Sequence, residues 1–354
     1  GRPARPAGRA PTAAGDRCRS RPACCPPRRT GRCRCRTPRR SRARSRSSSL
    51  PVPVPPDYNP TTVEGVALGR KLYYEKKLSE GGPFAGKACA SCHHQSESFT
   101  SVNSRGNSII PHFNLDWSNR YLWNGMYKGD LENVTLFEVD GFFKTDLSGI
   151  KDDQVYQQDF KKAFADGKIN STNTAYALAQ FMRTMISGNS RFDNYTLEKK
   201  GLPTKGPSTL SASELRGLNL FMNEGKGDCF HCHGSPSNPL WTDNKLRNIG
   251  LDASPDSGLA AVTHNPDDLG KFKTSSLRNL IFTAPYMHDG RFSTLDEVID
   301  FYTGQVELSS PNLDPVMRKE RNLNSTEKAD LIAFLKTLTD SSYTKDPALS
   351  NPHQ

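Results

Sequence analysis

The chain has 354 residues, enough for two domains of ordinary size, each burying its own core. Its formal net charge of +11 suggests a nucleic-acid partner, but residues 1–50 hold sixteen Arg, no Lys and a single acid, Asp16. The rest keeps 32 basic and 36 acidic residues, a net of −4, which excludes nucleic acid as the partner of the folded body, and no run of about 18 apolar residues offers a membrane span.

Residues 1–56 read as a disordered tail of Arg, Pro and Ser, too poor in large apolar side chains to offset the entropy of ordering it. It has no apolar core of a secretory signal and no opening Met, so it reads as a fragment or a non-native start. Its five cysteines, Cys18, Cys24, Cys25, Cys33 and Cys35, show no metal-ligand spacing. The body begins after Pro51–Pro60. A first helix is predicted from Thr61 or Thr62, with Glu64 placed for a capping box and Val66, Leu68 and Leu72 on its apolar face. Asn170–Ser187 is the clearest helix, with Ala175, Leu178, Ala179, Met182 and Ile186 at buried-face spacing. Lys199–Ser208, rich in Gly, Pro, Ser and Lys, reads as a linker between domains at 57–198 and 199–345. The second half opens with Ser211 and Glu214 as a capping pair. Thr294 and Glu297 cap another helix, and a last one follows Ser325. Residues 346–354 are expected to be flexible. Strand alternation is absent, so the fold class is mainly α with long irregular loops.

The body's only cysteines are Cys89, Cys92, Cys229 and Cys232, in the strings Cys89-Ala90-Ser91-Cys92-His93 and Cys229-Phe230-His231-Cys232-His233. CxxCH attaches haem because its two thiols can bond one porphyrin edge while the adjoining His reaches the iron. A zinc site would need two further ligands, and no second Cys pair lies within about 15–20 residues of either motif. The motif occurs twice, and Gly69–Tyr74 and Arg216–Phe221 precede the two copies as similar helices. Two cytochrome c-like haem domains related by duplication, with two covalent haem c groups, are the economical architecture.

These motifs resemble the bacterial dihaem cytochrome c peroxidases and their relative MauG. The strings that carry the resemblance are Ala67–Leu72, Cys89–His93, Leu178–Asp193, Asn248–Leu251, Gly270–Asn279 and Thr283–Arg291, spread over about residues 60–340. The resemblance implies a peroxidatic haem on the N-terminal domain and an electron-transfer haem on the C-terminal one. It implies hydrogen peroxide as substrate, a cytochrome c or small copper protein as donor, a periplasmic location and calcium between the domains, and it allows a homodimer. His93 and His233 would be the proximal ligands. Tyr302, four residues after Val298, falls at the distal position of the second haem, with Met287 as rival ligand and His288 near the haem edge. Trp123 matches the conduit between haems. Asn107, Thr283 and Pro285 match calcium ligands.

The peroxide side departs from the family pattern. The loop that carries a displaceable His is shortened, and His112 falls where a small hydroxyl residue is usual, so an open first haem is expected. The usual catalytic Glu position is Phe143, with Glu138, Asp140 and Asp146 nearby. Asn133 matches an amide that could orient peroxide. The implied function is cytochrome-c peroxidase, with Trp123, Asn133 and Glu138 as catalytic candidates. A MauG-like oxidase of a protein partner and a pure electron-transfer cytochrome are the alternatives.

Overall fold

The first half of the chain is built from α1 (Val63–Tyr74), α2 (Leu131–Phe137), the single turn α3 (Ser148–Lys151), α4 (Gln154–Ala163), α5 (Ser171–Met182) and α6 (Arg191–Lys199). The second half carries α7 (Ala212–Phe221), α8 (Phe230–His233), α9 (Ala260–Thr263), α10 (Leu295–Asp300) and α11 (Ser325–Lys336). This computed structural model describes residues 49–101 and 108–354, and Asn107 lies outside them.

The helices begin where capping chemistry dictates. Ser211 with Glu214 and Thr294 with Glu297 form the expected reciprocal pairs, and Asn324 with Glu327 forms another at α11. At α1 the N-cap is Thr62, whose hydroxyl accepts from the Gly65 amide at 2.9 Å. Glu64 therefore sits one residue too early for a capping box. Gln180 of α5 reaches over instead and accepts the Thr62 N–H at 2.9 Å.

Two hydrophobic cores form within one compact unit. In the first, α1 crosses α5; in the second, α7 crosses α11. Both crossings need glycine. A Cβ on Gly69 would stand 1.9 Å from the Ala177 carbonyl oxygen, and one on Gly217 would stand 2.0 Å from that of Asp330. Phe192 of α6 packs in the second core, so the change of core falls before α6 and not in the 199–208 run.

Two short antiparallel pairs frame the space between the halves. β1 (Arg120–Tyr121) pairs with β2 (Tyr127–Lys128), presenting Trp123 on their connecting turn. β3 (Leu246–Arg247) pairs with β4 (Phe272–Lys273), and the Lys273 amide donates to the Trp123 carbonyl at 2.8 Å.

After α11 the chain returns to the first core. Tyr343 and Leu349 are buried in it, the Tyr74 hydroxyl donates to the Leu349 carbonyl at 2.7 Å, and the Arg70 Nε donates to the Ser350 carbonyl at 2.6 Å. Residues 346–354, expected to be flexible, are strapped along α1 by these bonds.

Candidate haem sites

The first motif forms a single 3₁₀ turn, Cys89–Ser91, that closes with the His93 amide on the Cys89 carbonyl at 3.0 Å. The His93 Nδ1 lies 2.8 Å from the Phe99 carbonyl oxygen. A carbonyl can only accept, so Nδ1 carries the hydrogen and Nε2 keeps its lone pair for a metal. Burial lowers the His93 pKa to about 4, which keeps the ring neutral at physiological pH. The Phe99 carbonyl is aimed by an unusual turn, with Ser98 and Phe99 both left-handed at φ 60° and 57°.

His112 stacks on His93 itself, ring centroids 3.4 Å apart and planes inclined 16°. Two parallel rings in contact leave no room for a haem plane between them. The Tyr73 hydroxyl lies 3.1 Å from the His112 Nδ1.

Of the three acids near Phe143, Asp140 and Asp146 are exposed, and Asp146 is committed to capping the Ser148 amide at 2.9 Å. Glu138 opens a π-turn, Glu138–Phe142, that follows α2. Burial raises its carboxyl pKa to about 7, and its charge is felt at Cys89. Asn133, on α2, is exposed, with its amide nitrogen over Gly129. Phe143 stands where the sequence pattern places a Glu, clustered with Phe84 and Phe142.

The second motif runs from Cys229 into α8, and the His233 Nδ1 faces the Trp241 carbonyl oxygen at 3.2 Å, which fixes the same tautomer. Burial lowers this imidazole to about 4 as well. Cys229, Cys232 and His233 line a large cavity, open to solvent, with about 1710 Å³ of empty space counting its mouth. Tyr302, Met287, His288 and Trp123 line it too.

The predicted α10 face does carry Val298 and Tyr302 to this cavity, but the α-helix stops at Asp300 and continues as a π-turn, Phe301–Gln305. Such one-turn π insertions recur at functional sites. Burial raises the Tyr302 phenol pKa well above its ordinary value, so only a bound cation would favour its phenolate. Met287 has a left-handed backbone, φ 69°, and the His288 ring stacks on Phe272 at 3.6 Å. The Trp123 indole N–H donates to the Ser108 carbonyl at 2.9 Å.

A model of the family described as di-haem cytochrome c peroxidase matches residues 63–201. The cytochrome-c peroxidase IdrP1 of Pseudomonas sp. (strain SCT) is 31% identical, the match covering 84% of this chain and 87% of that protein. The chain belongs to the dihaem cytochrome c peroxidase and MauG family. The methylamine utilization protein MauG of Methylophilus methylotrophus is also 31% identical, over 80% of this chain and 84% of its own. A solved MauG-like protein associated with microbial copper homeostasis superposes with a TM-score of 0.73 at 30% identity, covering 86% of this chain and 98% of that one.

The family implies two haem c groups and an oxidoreductase activity of peroxidase or oxidase type. The residues present fit such groups. All four body thiols are unpaired, each pair adjoins a neutral histidine whose Nδ1 faces a backbone carbonyl, and the second pair opens on the large cavity. Among the described residues, no three His, Cys, Asp or Glu side chains cluster to hold a bare metal ion, and no helix is long and apolar enough to cross a membrane. Thr283 and Pro285 both line the large cavity, while the third calcium candidate, Asn107, is outside the described residues.

Sequence patterns missed two kinds of residue here. Lys273 is a largely buried cation, lowered to about 8 by desolvation, with its ammonium 2.5 Å from the Asn244 amide oxygen. Asn279 lies fully buried between the halves. Both fall inside the quoted Gly270–Asn279 string, but nothing in period or spacing marks a residue whose partners lie 29 and 181 positions away.

Proposed function

We propose that this chain is a periplasmic peroxidase that takes two electrons from a small redox protein, a cytochrome c or copper protein, and two protons to convert hydrogen peroxide into two waters. When bound, the haem iron supplies a site for the peroxide oxygen and a path for electrons. The protein's own groups do the rest. His93, held by the Phe99 carbonyl, is the proximal ligand of the peroxidatic haem. Glu138 takes the proton from the inner peroxide oxygen and returns it to the departing outer oxygen. The observation that carries this reading is the half-buried Glu138 in the π-turn after α2, the least exposed of the three acids, with its carboxyl raised towards neutrality by desolvation and its charge felt at Cys89. His233 and Tyr302 are the ligands of the second haem, Trp123 links the two sites, and the two halves arose by duplication. The matching glycine crossings at Gly69 and Gly217 support that last point. By family likeness, calcium is held near Thr283 and Pro285.

The test is Glu138→Gln. It should keep both haems and lower the rate of peroxide reaction by about 10²–10⁴-fold, the usual worth of a positioned proton carrier. An unchanged rate would remove Glu138 from the chemistry, and no peroxide reaction in the wild type would leave a pure electron-transfer cytochrome. A second reading, a MauG-like oxidase drawing electrons from a protein partner, is favoured by Tyr302 in the wall of the large cavity. A hard phenolate stabilises ferric and higher iron, which suits storage of oxidising equivalents more than exchange with a high-potential donor.

A further inference from the structure

The carbonyl that orients each proximal histidine is braced by one short segment, Leu277–Asn279. On the second-haem side, the Leu277 amide donates to the Trp241 carbonyl at 3.2 Å, the same oxygen that faces the His233 Nδ1. On the first-haem side, the Asn279 side-chain amide donates to the Ser98 hydroxyl at 2.8 Å. Ser98 and the residue after it, Phe99, form the left-handed turn that presents the Phe99 carbonyl to His93. Two consecutive left-handed residues, one of them bulky, are costly and persist only when their surroundings hold them. Asn279 is such a hold. Ser98, Phe99 and Asn279 are all fully buried.

The segment is itself fixed. Between its two contacts, the Arg278 guanidinium makes a two-pronged pair with Asp193, at 2.8 and 2.6 Å, with no exposure of the arginine. The Asn279 amide oxygen accepts from the Asp340 amide at 2.8 Å and from the Ser187 hydroxyl at 3.2 Å, so its donor end is free to point only at Ser98.

We propose that Asn279, a residue of the second half, is a positioning residue for His93 in the first, and that Leu277–Asn279 is a shared brace for both proximal histidines. The inference rests on the reading of His93 and His233 as haem ligands. A firm Nδ1–H···O=C bond raises the basicity of a ligating imidazole and so strengthens its bond to iron. Loosening the Ser98–Phe99 turn weakens that bond at the first haem alone.

The experiment uses the full-length holoprotein with Asn279→Gly, Ser98→Gly and the double variant. At 279, Gly keeps the left-handed backbone, φ 60°, and removes the donor to Ser98 without offering a new acceptor to its hydroxyl. At 98, Gly accepts the left-handed backbone without strain and removes the hydroxyl from the other side. The readouts are the iron–histidine stretching frequency of the ferrous protein and the reduction potential of each haem. Each single variant should lower the stretching frequency and raise the potential of the first haem, leaving the second haem unmoved. The double variant should shift no further than one single, because both remove the same contact. Unshifted first-haem signals in a folded variant, or equal shifts at both haems, would overturn the brace. A wild-type first haem without histidine ligation in its EPR spectrum would overturn the ligand assignment beneath it, and needs no substitution to be seen.

Discussion

Tyr302 and Met287 both line the large cavity, and one substitution at each separates them. Tyr302→Phe should abolish the low-spin EPR signal of the second haem, while Met287→Leu should leave it nearly intact. The opposite pattern would assign a thioether ligand and a high-potential relay. Glu138 gives a second residue-level expectation, with its sign fixed by burial. Its carboxyl is raised from the ordinary 4.5 to about 7, and the proton carrier must start as the carboxylate. The rate of reaction with peroxide should therefore rise with pH through about 7, and that inflection should vanish in Glu138→Gln. A flat profile in the wild type would place the proton elsewhere. The candidate haem-binding cysteines and histidines stood out because covalent attachment requires those residue types at fixed spacing. The proposed proton carrier was visible only as one of three acids, since the choice among Glu138, Asp140 and Asp146 depends on which is drawn furthest from water.

Helix starts were readable where an oxygen side chain stands three residues before a Glu, as at Ser211 and Thr294, whereas the last helix was placed after Ser325 and its cap proved to be Asn324. The same rule misplaced the partner at α1, because Gln180 competes from another helix. Helix ends were less readable. The π-turns after α2 and α10 carry Glu138 and Tyr302, and an extra residue in a helical turn leaves no compositional mark. Glycines at helix crossings were visible only as a faint repeat. Gly217→Ala should destabilise the second half by about 1–3 kcal/mol, since the added methyl meets the Asp330 backbone and not a yielding side-chain tip. Chemical denaturation would measure it, and a change under a few tenths of a kcal/mol would mean that α7 and α11 can separate freely.

At the scale of the molecule, buried polar groups as well as apolar packing tie distant segments together: Asn279 reaches Ser98 of the first half, and Arg278 pins α6 to the second. Arg278→Met would leave Asp193 charged and unpaired inside the structure, and should cost about 3–5 kcal/mol of stability. Thermal unfolding of the holoprotein would read it as a lowered midpoint. Haem content is the broadest check. Cys229→Ala should leave one haem per chain resistant to acid–acetone extraction, against two in the wild type. Extractable haem in the wild type would remove covalent attachment from the account. The strap after α11 has a consequence for the order of events during synthesis. Tyr343 and Leu349 complete a core whose other members lie between Leu68 and Met185, so that core cannot finish packing until nearly the whole chain is present. Cys89 and Ala90 pack against that core, so the Cys89–His93 loop gains its final surroundings only when the strap closes over α1.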